Sequence, residues 1–76
     1  MKLAAEVTFV ICIQNENYQA SLETRKVYRR LPDDEAAEQQ LWRIVDESGE
    51  DYLYTKAYFV DIDLPESVQE VLLSAA

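Results

Sequence analysis

Residues 7–13 read Val7-Thr8-Phe9-Val10-Ile11-Cys12-Ile13. A run this dense in β-branched side chains is stiff at χ1 and suits a pleated strand better than a helix. Period two puts Val7, Phe9, Ile11 and Ile13 on one side, with Thr8, Val10 and Cys12 on the other. That second side is small and uncharged, so the strand is expected to be covered on both faces and to lie inside a sheet. A chain of 76 residues cannot surround it with two separate cores, so 1–76 is expected to be a single small domain.

The rest of the chain supplies partners for that strand. Gln14-Asn15-Glu16-Asn17-Tyr18-Gln19-Ala20-Ser21 carries side chains that hydrogen-bond their own backbone and reads as a loop. Arg25 to Leu31 reads as a second strand with Val27 and Leu31 pointing inward, stopped by Pro32, which biases its predecessor toward extended geometry. Arg29 falls on that same nominal side, which predicts either a bulge or a stem lying over the core rim. From Pro32 to Gln40 a capping residue and early carboxylates predict one or two helical turns on the surface. Leu41 to Asp46 and Tyr52-Leu53-Tyr54 flank the only glycine of the chain, Gly49, which marks a hairpin turn wanting a left-handed residue. Alternation puts Trp42 and Ile44, extending to Asp46, on one face and Leu41, Arg43 and Val45 on the other without deciding which is buried. After a short break at Thr55-Lys56-Ala57, Tyr58 to Asp63 forms a last strand. Leu64-Pro65-Glu66-Ser67 opens a helix running from about Pro65 to Ser74, with Val68, Val71 and Leu72 at helical spacing. That stripe is expected either to dock on the sheet or to meet a partner chain.

Five short strands, a long first loop and a late one-turn break resemble a Src-homology-3-like barrel. The segments that carry the resemblance are Leu41-Trp42-Arg43-Ile44, then Gly49, then Tyr52 through Val60, similar to that family's third strand, turn glycine, fourth strand, one-turn helix with its tyrosine, and fifth strand. The resemblance implies a mostly β fold: a five-stranded, partly open barrel with a short loop helix and a C-terminal helix. Members that grip proline-rich peptides use an exposed aromatic groove. Here Leu41 stands where their peptide-gripping tryptophan is, Thr55 stands for the proline, and Tyr58 is retained. The chain also resembles small bacterial proteins that combine a Val-Tyr-Arg strand, an acidic loop and a hairpin like the one from Asp46 to Tyr54.

Composition narrows the function classes. Fifteen acidic residues against seven basic ones, a net charge of -8, repel phosphate backbones at long range, so nucleic acid is an unlikely partner. With no histidine and one cysteine, Cys12, the chain lacks the usual zinc ligands and a disulfide, and neither cofactor nor metal is expected. The longest apolar run is far shorter than the roughly 20 residues a membrane helix needs. Met1 to Glu6 begins like a leader peptide, but Glu6 and the polar residues after Ile13 deny it an apolar core. A cytoplasmic protein without a membrane span is expected.

Candidate sites follow from side-chain chemistry. Asp46, Glu47, Glu50 and Asp51 could hold a hard cation or, as a weaker reading, serve acid–base catalysis, but they miss the calcium-loop alternation, and a solvated turn accounts for them more simply. Arg25, Lys26, Arg29 and Arg30 around Tyr28 mix basic and aromatic groups as single-strand binders do; pairing with neighbouring carboxylates is the simpler reading. The tyrosines and the tryptophan are too many to bury fully and are favoured at interfaces. The expectation is therefore a non-catalytic protein-interaction module. Its contact surface is Tyr18, Tyr28, Trp42, Tyr54 and Tyr58 with Glu16 and Glu23 as acidic rim, and its partner is basic or a peptide. The alternative is a small nucleic-acid-associated regulator using the basic strand from Arg25 to Arg30.

Overall fold

The computed structural model describes residues 7–74, so the leader-like Met1 to Glu6 lies outside the described residues. The chain runs β1 (Thr8–Cys12), β2 (Val27–Leu31), α1 (Asp34–Glu38), β3 (Leu41–Val45), β4 (Asp51–Thr55), a 3-10 turn (Lys56–Tyr58), β5 (Phe59–Ile62) and α2 (Glu66–Ser74). The five strands form one antiparallel sheet in the order β4-β3-β2-β1-β5. The outermost strands do not pair with each other, yet the Tyr54 ring of β4 meets the Phe59 ring of β5 with centroids 6.2 Å apart. The sheet is therefore curled into a partly open barrel, mostly β with a short loop helix and a C-terminal helix, as expected.

Register decides what the curl encloses, because directly opposed residues share a face. Val10 lies opposite Tyr28 and Asp61, Cys12 opposite Phe59, and Trp42 opposite Tyr54. Their face is the inner one, and Val10, Cys12, Leu22, Tyr28, Ile44, Tyr54 and Phe59 make its core. β1 sits between β2 and β5 and is covered on both sides: Val10 and Cys12 are fully buried inside, and Phe9 is 3% exposed on the outer face. Ile13, just past the strand, is 55% exposed.

β2 corrects one expectation. Tyr28, not Val27 or Leu31, points inward, and Val27, Arg29 and Leu31 share the outer face without any bulge. The physical reason is that Tyr28 can fill the core with its ring while its hydroxyl escapes to the rim, where it donates to Glu47 and accepts from the Glu23 amide.

Local chemistry fixes the connections. Asp33 caps α1 by accepting from the Ala36 amide, with Asp34 and Glu35 in the first turn. Only Ala36 of that helix is buried. Gly49 adopts φ 86° in the hairpin and its amide donates to the Asp46 carbonyl, a conformation that costs glycine little. Leu22, the one core residue supplied by the first loop, is held by an Asn15 side-chain bond to its carbonyl and by its own amide bonding to Tyr18. α2 begins after Pro65, whose carbonyl accepts from Val68 and Gln69. Its Val68, Val71 and Leu72 remain largely exposed, so most of that stripe is not docked on the sheet. Among the described residues no helix is long and apolar enough to cross a membrane.

Candidate functional site

The first loop, residues 13–26, folds down over one end of the barrel and is fastened to the hairpin between β3 and β4. The Glu47 amide donates to the Ser21 carbonyl, and Lys26 Nζ lies 2.6 Å from the Glu47 carboxylate, which also accepts from the Tyr28 hydroxyl. The hydrogen bonds from Lys26 and then Tyr28 hold the Glu47 carboxyl below its ordinary range, against the opposing effect of partial burial.

Beside this fastening, Asp46 is the one buried charged side chain in the described core, 6% exposed. It accepts from the Ser48 amide at 2.9 Å, the Ser48 hydroxyl at 2.6 Å and the Tyr54 hydroxyl at 2.6 Å. Burial pushes its carboxyl up, and the bonds from Ser48 and Tyr54 more than reverse this, leaving it below the usual carboxylate value. The same contact, after burial itself, raises the Tyr54 phenol to about 12. Asp46 is therefore an anchoring carboxylate with its acceptor sites occupied.

On this base stand the exposed rings. Tyr18, 44% exposed, meets Tyr54 edge-on with centroids 5.0 Å apart at 88°, and Tyr58 at 6.2 Å. Such edge-to-face geometry is the favoured one for aromatic pairs. The Tyr58 hydroxyl donates to the Glu16 carbonyl at 3.1 Å, tying the 3-10 turn to the loop. Tyr18, Tyr52, Leu53 and Tyr54, with Ser21, Asp46 and Ser48, line an open depression of about 350 Å³.

The structure thus brings together Tyr18, Tyr54, Tyr58 and Glu16 from the expected surface. Of these, Tyr54 is only 5% exposed, and Tyr28, also 5% exposed, lies with it beneath the surface; neither offers a free ring face. Trp42 packs against the core, and the Arg30 guanidinium lies 4.2 Å from its ring centroid. Glu23 is exposed in the first loop and gives its backbone amide to Tyr28. Tyr52, half exposed and lining the depression, is the residue absent from the expected surface; its two-residue spacing from Tyr54 on β4 was the available signal.

The basic residues are divided. Arg25 sits in a turn at φ 69°, Lys26 pairs with Glu47, Arg30 faces inward over Trp42 and lies 3.9 Å from Asp61, and Arg29 faces outward. The hairpin acids are divided too: Asp51 pairs with Arg43 at 3.0 Å and Glu50 accepts from the Tyr52 hydroxyl. Among the described residues there is no cluster of acids arranged to hold a metal ion. No family model matches this chain, and no match is found among curated proteins or solved structures.

Proposed function

We propose that this domain is a non-catalytic protein-interaction module that takes an extended basic segment of a partner across the rings of Tyr18, Tyr52 and Tyr58. The observation that carries this reading is the exposed Tyr18 ring, held edge-on by Tyr54 and Tyr58 before any partner arrives. A ring already fixed loses little freedom on binding. The net charge of -8 favours encounter with a cationic partner, and an Arg or Lys side chain over a tyrosine face gains a cation–π attraction. We further propose that the partly open barrel is Src-homology-3-like. That assignment is supported by the long first loop and by Tyr58 on the 3-10 turn before β5. A reducing cytoplasm is the proposed setting, in which the buried Cys12 stays a thiol.

Titration of labelled protein with an unstructured arginine-rich peptide, followed by amide chemical shifts, tests the reading. Shifts should concentrate at residues 16–21 and 52–58. Tyr18→Ala should weaken binding roughly three- to thirtyfold, the range a cation–π contact spans. A glutamate-rich peptide that binds as well, or a single-stranded oligonucleotide that binds more tightly than the arginine peptide, would reject it.

A further inference from the structure

The outer face of the sheet carries a second, separate feature. Three of the described arginines are half-buried: Arg29, Arg30 and Arg43. Arg43 is bracketed by Asp33 at 2.8 Å and Asp51 at 3.0 Å, and Arg30 has Asp61 at 3.9 Å and the Trp42 ring. Arg29 has no carboxylate partner among the described residues, and its directly opposed neighbours in the sheet are Phe9 and Val45. Arg29 therefore lies half-buried between apolar neighbours with its charge unmatched by any carboxylate of the described residues.

Arg29 also lines an open cleft of about 370 Å³ between the outer face and α2, within the size range of small-molecule sites. Its apolar walls are Phe9, Val27 and Val45 from three strands and Leu72 from α2. The acids at its mouth are already engaged: Glu47 by Lys26 and Tyr28, Asp46 by Ser48 and Tyr54 on the inner side. Charge and shape therefore call for the same kind of molecule. One carboxylate matches the fork of Arg29, and an apolar body covers the walls. The overall negative charge disfavours polyanions, and the other basic residues are too dispersed to hold a phosphate backbone.

We propose that this cleft binds a small monocarboxylate with an apolar chain, its carboxylate paired with Arg29 and its chain against Phe9, Val27, Val45 and Leu72. Asp46 borders both this cleft and the Tyr18 depression, but none of the groups assigned to hold the ligand belongs to the Tyr18 surface.

Octanoate is the probe, titrated below its micelle concentration into isotope-labelled protein, with octanol and acetate as partial mimics. Octanoate should shift the resonances of Phe9, Val27, Val45 and Leu72. Octanol and acetate should each bind at least roughly tenfold more weakly, the order expected when a charge-assisted bond or the apolar contact is lost. Arg29→Gln should weaken octanoate by a similar factor and leave octanol unchanged, while Tyr18→Ala should change neither. Equal binding of octanol and octanoate would show apolar adsorption alone and overturn the proposal. So would shifts that depend on protein concentration without ligand, which would mean that a second copy fills the cleft. No saturable shift at all would overturn it as well. The ligand-side comparison needs no variant, so a folding defect in Arg29→Gln would not obscure the result.

Discussion

Replacing Tyr54 by Phe removes one oxygen from a buried network and leaves the packing of the ring in place. The lost group donates at 2.6 Å to Asp46, a carboxylate 6% exposed. A hydrogen bond to a charged group contributes about 1.5–3 kcal/mol. Two donor groups of Ser48 remain on Asp46, so the carboxylate is weakened but not orphaned, and about 2 kcal/mol is the expected cost. Against a total stability on the order of 4–11 kcal/mol for a domain of this length, that is a large share. With a urea slope of about 1 kcal/mol/M for so small a protein, the midpoint should fall by roughly 2 M. Trp42 fluorescence, from a ring packed on the core, provides the signal. The acid limb supplies a second readout. Asp46 has its carboxyl depressed in the folded state, so its contribution is complete above the unfolded value of about 3.9 and is lost as pH falls through the lower folded value. Tyr54→Phe removes one cause of that depression and should reduce the loss of stability on acidification. A double-mutant cycle with Asp46→Asn should show coupling of at least about 0.5 kcal/mol. A midpoint unchanged by Tyr54→Phe, or a cycle with no coupling, would refute the anchoring role.

Leu22→Ala should cost about 2–5 kcal/mol, because Leu22 is 1% exposed in the core and its loss leaves a cavity; a thermal midpoint within a few degrees of the parent, where roughly 4–8 °C per kcal/mol is expected, would contradict its place there. Gly49→Ala should cost about 1 kcal/mol for backbone reasons alone, since φ is 86° while an added Cβ meets nothing within 4 Å; chemical denaturation measures it. At high pH, burial first and Asp46 second keep the Tyr54 phenol protonated up to about 12, and burial followed by Glu47 pushes Tyr28 up as well. Both raised values favour the neutral forms in the folded state, so their contribution is present below the unfolded value of about 10 and disappears as pH climbs through the folded values. Tyrosinate absorbance should therefore show a late fraction that coincides with unfolding and shrinks in Tyr54→Phe.

How much of this could be read from the chain depended on the range of the deciding interaction. The strand of residues 7–13, the turn at Gly49 and the helix after Pro65 are set by neighbours a few positions away, and each is where local pattern places it. The inward face of β2 is not such a case. Val27 and Leu31 look like core residues, but Tyr28 is opposed by buried Val10 and finds Glu47, 19 residues on, for its hydroxyl. Tyr54 likewise depends on Asp46, 8 residues back. Leu22 stands among polar loop residues with no period to reveal it. The basic run shows the opposite lesson: strand alternation alone already separates Arg29 from Arg30, so a single basic stripe was never available to adjacent strand residues.

The hairpin acids tie these findings together. Glu47, Glu50 and Asp51 are exposed, as a solvated turn requires, and Asp46 alone is buried, yet three of these four carboxylates also link neighbouring elements. Asp46 holds β4 through Tyr54, Glu47 holds β2 and the first loop through Tyr28 and Lys26, and Asp51 holds Arg43, which also reaches Asp33 at the start of α1. An open sheet of five short strands gains from such links, since its outer strands lack the second partner that closure would give. Once those acids are engaged, they are poor candidates for metal or acid–base chemistry. Two features remain open to an outside molecule: the Tyr18 ring, held edge-on by Tyr54 and Tyr58 but 44% exposed, and the half-buried Arg29, which has no carboxylate partner among the described residues. The charge-rich turn between them fastens the sheet together.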